Sequence, residues 1–448
     1  MISRNAVAAL VGAGSVAAMA GVSLAQATFP AVFVTNNGNA RGSATSYRVH
    51  PDGTVTRVQD LVIGERLTGQ PANPGVNAYS GSLSPDGRYF AVSHATAATT
   101  EQISILSVAN DATMAIYTTF TTPDSPLDLV WLNNNTLAVT ETRTSGTNRV
   151  HVYRFNEAAR TFTEVDVESV SGFCSWLTLS KDGRWLIANH SPLSGGGGVA
   201  SFAVSPEGLL TPASDIVFGG YSMGMAFSND GSFMYVPAGA SNPLINGFTF
   251  DTQSGMMNFL PSTPYWVAGD SPKQGVVSPD GTKLLVCYGG DGTVRVNDIN
   301  TETGELTPTN WFVDIGGQST VGNIAVLRIA AMDLVLFTDK ETFDGSPRGL
   351  CSYKIEPDGS LTERSLRVDS GGISPLEVVT WPGLPGCGTA DFDGDGDSAT
   401  DFDIEAFFRC LAGDCCATCG SADFDADGDS ATDFDIEAYF RVLSGGTC

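Results

Sequence analysis

Short apolar runs, separated by turn-forming residues, recur along most of this 448-residue sequence. A Ser-x-Asp-Gly turn begins at Ser84, Ser180, Ser228 and Ser278, at steps of 96, 48 and 50 residues. One period after Ser84, the Asn-rich stretch 132–135 offers another turn. Each turn lies between two apolar runs, which is typical of a β-hairpin. The pattern therefore predicts a series of antiparallel hairpins.

A second turn recurs later in each repeat, between two further strand-like segments. Its copies lie at residues 51–53, 206–208, 253–255, 302–304 and 357–359. Each repeat of about 48 residues therefore holds four strands. Four-stranded repeats of roughly 40–50 residues in series indicate a β-propeller.

The number of repeats and the way the ring closes can also be deduced. The repeats begin near Ala31, Ser82, Pro126, Phe173, Tyr221, Ser271 and Gly322. The first repeat lacks its innermost strand, and segment 374–381 is a strand with no repeat after it. Pairing the two closes the ring and removes open sheet edges, whereas an open β-sandwich array leaves both period and extra strand unexplained. We predict an all-β fold, a seven-bladed β-propeller of four-stranded blades, over residues 28–383.

These repeats resemble a known family. Their pattern looks like that of the seven-bladed lactonase family. It consists of Ser-Pro-Asp-Gly-Arg with Phe-Ala-Val, then Tyr-Arg-Val or Phe-Ala-Val, then Pro-Asp-Gly with Thr-Val-Thr. That family groups 6-phosphogluconolactonase-like and muconate-cyclase-like propellers, and segment 32–37 is similar to the repeat of the related YVTN propellers. The resemblance covers about residues 30–383 and implies lactone ring opening or closing. Its motifs are mainly turns, so they specify architecture better than chemistry.

Candidate catalytic residues follow the second strand of several repeats. No nucleophile elbow or zinc-binding histidine pair is present in the sequence. His94, Glu141 and His190 follow second strands, and we expect such loops to share one channel mouth with the blade-linking loops. A lactonase needs a base to activate water and a cation to stabilise the oxyanion. One of these three would be the base, and Arg143 or Lys340 the cation; alternatively, each is a solvated loop residue.

A calcium-centred propeller hydrolase is the rival interpretation. It would direct oxygen-bearing side chains from the blade-linking loops down the central axis. Candidates are Asn77, Asp124, Asp270 and Asn323. The Asp of each Ser-x-Asp-Gly turn is instead expected to cap its own turn. His151 flanks an outer strand and is expected to be exposed.

The composition changes sharply near the C-terminus. Residues 387–448 hold 15 of the 49 acidic residues, two arginines and six of the nine cysteines. Asp391, Asp393 and Asp395 occupy positions 1, 3 and 5 of an EF-hand-type calcium loop, with Gly396 at position 6. The pattern recurs 32 residues later. The predicted calcium ligands are Asp391, Asp393, Asp395, Asp397, Asp401, Asp403, Asp423, Asp425, Asp427, Asp429, Asp433 and Asp435.

An amphipathic helix is predicted after each loop. The apolar positions are Ile404, Phe407, Phe408 and Leu411 in the first helix and Ile436, Tyr439, Phe440 and Leu443 in the second. A duplicated loop–helix module over residues 384–448 is similar to dockerin domains, which implies calcium-dependent folding and a cohesin-like partner. It departs from them at position 12, where Phe402 stands between Asp401 and Asp403. Either the loop is one residue longer or Glu405 closes it; a disordered acidic tail is the alternative.

The cysteines fall into two groups. The repeat suggests disulfides Cys387–Cys416 and Cys419–Cys448, which leaves Cys410 and Cys415 over. A zinc site is possible, but an exported protein favours disulfides. The propeller cysteines are expected to be buried thiols; these are Cys174, Cys287 and Cys351.

The N-terminus indicates export. Residues 1–27 combine Arg4, an apolar stretch and Ala25-Gln26-Ala27, as in a cleavable secretory signal. The alternative is a membrane anchor. We therefore expect an exported protein, in the periplasm, on the cell surface or outside the cell.

The net charge of −26 argues against nucleic acid and anionic membrane surfaces as partners. We expect a monomer that hydrolyses a sugar or aliphatic lactone, with Ca2+ in a C-terminal module that attaches to a cohesin-like or cell-surface partner. The alternative is a non-catalytic propeller that binds or assembles at a surface.

Overall fold

The computed structural model describes residues 27, 29–65, 75–95, 102–142, 148–191, 196–239, 242–315, 319–329, 331–342, 348–383, 390–395, 397–416, 419–422, 424 and 431–444. In these residues seven sheets follow one another, and each contains four or five strands. The predicted all-β propeller of seven four-stranded blades is confirmed, with one blade carrying a divided outer strand.

The strands of the first three blades are as follows. Blade 1 contains β1 (Ala31–Asn37), β2 (Arg41–Val49) and β3 (Val55–Glu65). Blade 2 contains β4 (Ala78–Leu83), β5 (Tyr89–His94), β6 (Gln102–Val108) and β7 (Met114–Thr121). Blade 3 contains β8 (Ser125–Asn133), β9 (Thr136–Thr142), β10 (Asn148–Asn156) and β11 (Thr161–Val170).

The later blades follow the same plan. Blade 4 contains β12 (Leu177–Leu179), β13 (Trp185–His190), β14 (Gly197–Val204) and β15 (Leu210–Phe218). Blade 5 contains β16 (Ala226–Phe227), β17 (Phe233–Ala238), β18 (Leu244–Phe250), β19 (Met257–Phe259) and β20 (Tyr265–Trp266). Blade 6 contains β21 (Pro272–Val277), β22 (Lys283–Tyr288), β23 (Thr293–Ile299) and β24 (Leu306–Asp314). Blade 7 contains β25 (Ser319–Ile329), β26 (Met332–Thr342), β27 (Gly349–Ile355) and β28 (Leu361–Asp369), and β29 (Pro375–Trp381) follows it.

Strand β29 closes the ring. It pairs antiparallel with β1, with Val378 opposite Val34 and Trp381 opposite Ala31. The sheet order β29-β1-β2-β3 makes it the innermost strand of blade 1. The prediction that segment 374–381 completes the first blade is therefore confirmed. The Trp381 ring also packs on the first turn of blade 2, 2.8 Å from where a Cβ of Gly87 would lie.

The Ser-x-Asp-Gly turns are held by their own side chains. In the first copy, the Ser84 hydroxyl donates to Asp86 Oδ1 at 2.6 Å, and the Arg88 amide donates to the same oxygen at 3.1 Å. Gly87 has a φ of +69°, which a residue with a Cβ adopts only with strain. The other three copies repeat the serine–aspartate bond. The predicted capping role of these aspartates is confirmed.

Hydrophobic cores lie between neighbouring blades. One cluster joins Tyr89 and Ile105 of blade 2 to Trp131 and Phe155 of blade 3. The predicted burial of the propeller cysteines is confirmed; they are Cys174, Cys287 and Cys351. Burial raises the pKa of the Cys287 thiol to about 11, so this thiol is unreactive near neutral pH.

The two predicted C-terminal helices are present as α1 (Asp401–Leu411) and α2 (Asp433–Leu443). Each begins with a threonine in a capping box, in which the threonine side chain and an aspartate at the third helical position bond to each other's backbone amides. Phe392, Phe407, Phe424 and Tyr439 form the core between the helices.

Two details of the helices differ from the predicted pattern. Phe408 and Phe440 were expected to be buried and are instead exposed. In α1 the buried positions are Asp403, Phe407 and Cys410. The buried face of α1 is therefore rotated by about one residue from the face that the apolar residues predict. The reason is that the capping residue Asp403 and Cys410 both take part in the small core.

The cysteine pairing also differs. Cys410 bonds to Cys415, and Cys416 bonds to Cys419. The predicted pairs of Cys416 and Cys419 with Cys387 and Cys448 are therefore wrong. These two bridges join cysteines that are five and three positions apart in the sequence. Comparison of the two repeats favours equivalent pairs far apart in the chain, and it therefore missed these local ones. Cys387 and Cys448 themselves lie outside the described residues.

The predicted signal segment, apart from Ala27, also lies outside the described residues. Ala27 is buried, and its carbonyl accepts a 2.7 Å hydrogen bond from Trp381 Nε1. The predicted cleavage point thus adjoins the packed core of blade 1. Within the described part of the chain, neither helix is long and apolar enough to cross a membrane.

Candidate functional site

One position recurs on or just before the innermost strand of every blade. Its occupants are Ser80, Asp128, Trp176, Gly224, Gln274, Asn323 and Glu377, separated by 48, 48, 48, 50, 49 and 54 residues. We call these residues the channel ring. Ser80, Asp128, Trp176, Gln274 and Glu377 line a single cavity of about 390 Å³. This volume falls within the roughly 300–1,000 Å³ of small-molecule sites.

Asp128 is the first carboxyl group in this cavity. The Ser80 hydroxyl donates to its Oδ1, and the Leu177 amide donates to its Oδ2 at 2.6 Å. Burial raises its pKa to about 6, although these hydrogen bonds oppose the shift. Asp128 is therefore mostly ionised at pH 7, with its charge held by fixed donors.

Glu377 is the second carboxyl group. Its Oε1 accepts a 2.5 Å hydrogen bond from Asn323 Nδ2. Burial, and then the negative charge of Asp128, raise its pKa to about 8. Glu377 therefore carries a proton at pH 7, whereas Asp128 does not. Two carboxyl groups whose environments separate their pKa values in this way are suited to base and acid roles.

The remaining lining shows where the cavity leads. Ser82, Ser84 and Pro85 line it beyond the channel ring, as do the end residues of β29. The cavity thus extends from the ring toward the end of the channel that carries the Ser-x-Asp-Gly turns. This is the end opposite to the blade-linking loops, where the sequence predicted the site. Asp128 and Glu377 are the only ionisable residues among the described lining.

His94, a predicted base, is fully buried at the end of β5. Its Nδ1 is 3.1 Å from the Val76 carbonyl and its Nε2 is 2.9 Å from the Ser104 hydroxyl. Burial lowers its pKa to about 4. Both ring nitrogens are thus engaged within blade 2, and the imidazole is neutral at physiological pH.

Glu141 belongs to a polar cluster inside blade 3. Tyr153 donates its hydroxyl to Glu141 Oε1, and the Asp124 amide donates to Oε2 at 3.1 Å. His151 Nε2 lies 3.7 Å from the same Oε2, and its Nδ1 is 2.7 Å from Glu164. Burial raises the pKa of Glu141 to about 7. The expectation that His151 is exposed is wrong, because β10 turns it into this cluster.

His190 ends β13 and is also fully buried. Its Nε2 is 2.7 Å from Asp215 Oδ1, and its Nδ1 has no hydrogen-bond partner in the described part of the chain. Asp215 is partly exposed and also accepts a hydrogen bond from the Ser171 hydroxyl. This histidine–aspartate pair lies within blade 4.

The predicted catalytic residues thus occupy separate blades. Among the described residues, no hydrogen bond or ion pair joins His94, Glu141 and His190 to one another, and none of them lines the channel cavity. Lys340 lies in β26, while Arg143 lies outside the described residues. Their catalytic roles stay predictions.

Of the four residues proposed for a calcium-centred propeller, one reaches the channel site. Asn323 belongs to the channel ring and binds Glu377. Asp124 binds Glu141 through its backbone amide. Asn77 has a φ of +53° and hydrogen bonds to the Gly38 carbonyl through its backbone.

In the C-terminal module, Asp391, Asp393 and Asp395 bring carboxylate oxygens within 4.8 Å of one another. Asp403 is used differently: it accepts amide hydrogen bonds from Phe392 and Thr400 at 2.6 and 2.8 Å. Asp435 repeats this arrangement in the second copy. Asp423, Asp425, Asp427 and Asp429 lie outside the described residues.

The sequence reasoning missed Asp128 and Glu377. The signal for Asp128 was present, because it stands four residues before the first-turn position of its blade. Aligning the repeats on Ser84 and stepping back four residues gives Ser80, and one period later Asp128. The terminal strand has no Ser-x-Asp-Gly turn, so Glu377 emerges only when β29 is aligned as an inner strand.

No protein-family model matches this sequence, and no curated protein matches it. Solved structures do. A periplasmic gluconolactonase from Pseudomonas aeruginosa is 18% identical with a TM-score of 0.59, over 78% of this chain and 99% of that one. A candidate 6-phosphogluconolactonase from Bacteroides uniformis is 16% identical with a TM-score of 0.61, over 79% and 100%. A similar candidate from Bacteroides fragilis is 16% identical with a TM-score of 0.59, over 79% of this chain and 98% of that one. The chain therefore shares its propeller fold with these proteins.

Proposed function

We propose that the propeller is an exported lactone hydrolase and that the reaction takes place in the channel cavity. The observation that carries the proposal is the pair of buried carboxyl groups, Asp128 and Glu377, that line this one cavity. The shared fold with a periplasmic gluconolactonase supports the choice of lactones among possible substrates.

The chemistry follows from the two protonation states. The Asp128 carboxylate takes a proton from a water molecule whose oxygen attacks the lactone carbonyl carbon. The protonated Glu377 donates a hydrogen bond to the carbonyl oxygen as it gains negative charge. The ring C–O bond then breaks, and the leaving oxygen takes the proton from Asp128. One lactone and one water thus give one hydroxy acid.

The lining also limits the substrate. Because the cavity holds an ionised carboxylate and, in its described lining, no arginine, lysine or histidine, a phosphorylated lactone would be repelled. We therefore infer that the substrate is a neutral lactone of a sugar or short aliphatic acid.

The test is hydrolysis of glucono-δ-lactone, γ-butyrolactone and 6-phosphogluconolactone, followed by acid release in a pH-stat with the spontaneous rate subtracted. We expect turnover of a neutral lactone and a loss of about 100-fold or more in kcat/KM for Asp128→Asn. Asp298→Asn changes a partly exposed carboxylate that pairs with Lys283 and serves as control. Absence of activity above buffer on every lactone would refute the proposal.

The same assay decides between this cavity and the predicted sites. If Glu141→Gln or His190→Asn abolishes turnover while Asp128→Asn does not, the reaction belongs to blade 3 or blade 4. The buried cluster around Glu141 and the His190–Asp215 pair would then supply the base.

For the C-terminal module we propose calcium binding by Asp391, Asp393 and Asp395. Carboxylate oxygens this close repel one another unless a cation lies among them, and hard oxygen ligands suit Ca2+. Asp403 would keep the loop attached to α1 through its amide hydrogen bonds. The second loop, by repetition, would bind another ion.

Calorimetric titration of the full chain with Ca2+ tests this proposal. We expect two ions per chain and one fewer for the double variant Asp393→Asn, Asp395→Asn. Unchanged stoichiometry in that variant would contradict the assignment.

A second candidate function is attachment through this module. Phe408 and Phe440, at equivalent positions of α1 and α2, are exposed with ring centroids 6.2 Å apart. Exposed aromatic pairs of this kind are typical of protein-binding surfaces. A cohesin-like or cell-surface partner should lose affinity for a Phe408→Ser, Phe440→Ser variant.

A further inference from the structure

The outer edge of blade 5 differs from those of the other blades. Its outer strand is divided: β19 pairs with residues 248–250 of β18, and β20 pairs with Leu244 and Ile245. Between them the chain leaves the sheet and returns. Two β18 residues, Asn246 and Gly247, therefore have a loop beside them where other blades have a strand.

A groove of about 610 Å³ lies at this interruption. Three of the residues that line it are aromatic: Phe218 from the end of β15, Phe259 and Trp266. Phe259 and Trp266 are 46% and 67% exposed, and no other described tryptophan is as exposed as Trp266. Large aromatic surfaces left in water beside a concave space are typical of binding sites rather than of core packing.

Asn246 forms part of the groove although its strand neighbours are apolar. It alternates with Leu244 and Phe248 along β18 and is only 4% exposed. Its Nδ2 has no hydrogen-bond partner in the described part of the chain. Burying an amide donor without a partner is unfavourable, so a ligand that accepts a hydrogen bond here would satisfy it.

The groove is unsuited to two common ligands. No charged residue is among its described lining, so it offers nothing to select an ion. An added peptide strand would need free backbone groups on β18. The Gly247 amide already donates to the Thr263 hydroxyl at 2.8 Å, and its carbonyl accepts from the Leu260 amide at 2.9 Å.

A pyranose ring matches the uncharged, aromatic lining of the groove and its unpaired amide donor. Its faces of C–H groups are apolar and stack on aromatic rings, while its edge carries hydroxyl groups and a ring oxygen that accept hydrogen bonds. It is also neutral. We propose that the groove between blades 4 and 5 binds a neutral sugar unit, with Trp266 and Phe259 against its faces and Asn246 Nδ2 donating to its edge. This site is separate from the channel cavity and independent of its reaction.

Isothermal titration calorimetry of the full chain with cellohexaose, xylohexaose, maltohexaose and chitohexaose tests the proposal. We expect at least one to bind at a single site below about 10 mM, and Trp266→Ala to weaken that binding about tenfold or more. Asn246→Ala should also weaken it. Trp311→Ala is the matched control, because Trp311 is an exposed tryptophan on β24, outside the groove, and should leave affinity unchanged.

Three outcomes would overturn the proposal. In the first, none of the four sugars binds to the wild-type chain. In the second, the Trp266→Ala and Trp311→Ala variants bind the sugar with equal affinity. In the third, sedimentation velocity shows the wild-type chain self-associating and Trp266→Ala monomeric, which would assign the groove to a second copy. Because Trp266 is exposed, its variant keeps the fold, so a negative result is not due to unfolding.

Discussion

Asp128 and Glu377 come from blades 3 and 1, and Ser80 of blade 2 stands between them in the channel ring. The serine hydroxyl donates a hydrogen bond to Asp128, which favours the ionised form there. Glu377, facing that charge, keeps its own proton. Three residues at one repeated position thus create two different carboxyl groups.

The pH dependence of lactone hydrolysis should reflect this difference. In the proposed reaction Asp128 must be ionised and Glu377 protonated, so kcat/KM should rise through about pH 6 and fall through about pH 8. A pH-stat series from pH 4.5 to 9.5 measures the profile. In Glu377→Gln, whose amide still donates a hydrogen bond, the alkaline fall should vanish while reduced activity persists; a fall that persists would assign it to another group.

Glu377 should also make stability pH-dependent. Its folded-state pKa is raised, so its contribution is fully present below about pH 4.5 and is lost as pH rises through about 8. Glu377→Gln should therefore gain Tm relative to the wild type as pH increases from 5 to 9, by about 2 °C or more. Differential scanning calorimetry at matched ionic strength measures this, and a constant Tm difference would contradict it.

At the scale of single elements, α1 depends on its first turn. Thr400 and Asp403 satisfy each other's backbone amides, and Asp403 also binds the loop amide of Phe392. Without the threonine hydroxyl, the Asp403 amide at the helix start loses its acceptor.

Thr400→Ala should weaken α1 by about 1 kcal/mol. Hydrogen–deuterium exchange of the α1 amides should then speed up about fivefold. Thr400→Ser keeps the hydroxyl and should restore the protection. Equal exchange in the alanine and serine variants would show that the cap contributes nothing.

The elements were predictable where their signals are local. The Ser-x-Asp-Gly turns, which are capped within four residues, predicted the blades and their order. The spacing of apolar residues predicted both helices. The predictions that failed concern features that depend on residues distant in the sequence. Phe408 is exposed because the core of the module is small and Asp403 occupies its inward face, and the outer strand of blade 5 is divided by residues around Thr263 that bind Gly247.

The candidate site was predictable only in part. His94, Glu141 and His190 were predicted to lie in loops at one channel mouth, whereas they are buried polar groups in three separate blades. Their separation could not be read from the chain, because the direction of a side chain at a strand end depends on the next blade. The residues of the channel ring can be recognised only when all seven repeats are aligned with one another.

At the scale of the molecule, closure by β29 should control folding. Deleting residues 375–381 leaves β1 with an unpaired edge and removes Trp381 from the blade 1–blade 2 contact. We expect aggregation or loss of cooperative unfolding, measured by light scattering and calorimetry. A chain ending at Gly383 keeps β29 and should retain the propeller transition; if it aggregates equally, the C-terminal module and not closure maintains the fold.

The closing pair of strands also brings the beginning and end of the propeller together. Trp381 Nε1 bonds to the Ala27 carbonyl at 2.7 Å, and Gly383 lies so near Phe29 that a Cβ would be 2.9 Å from its backbone. A short peptide could therefore join these ends, and a circularly permuted chain could start between any two blades. The blades therefore form one continuous ring in space, in which β1 and β29 share a single sheet.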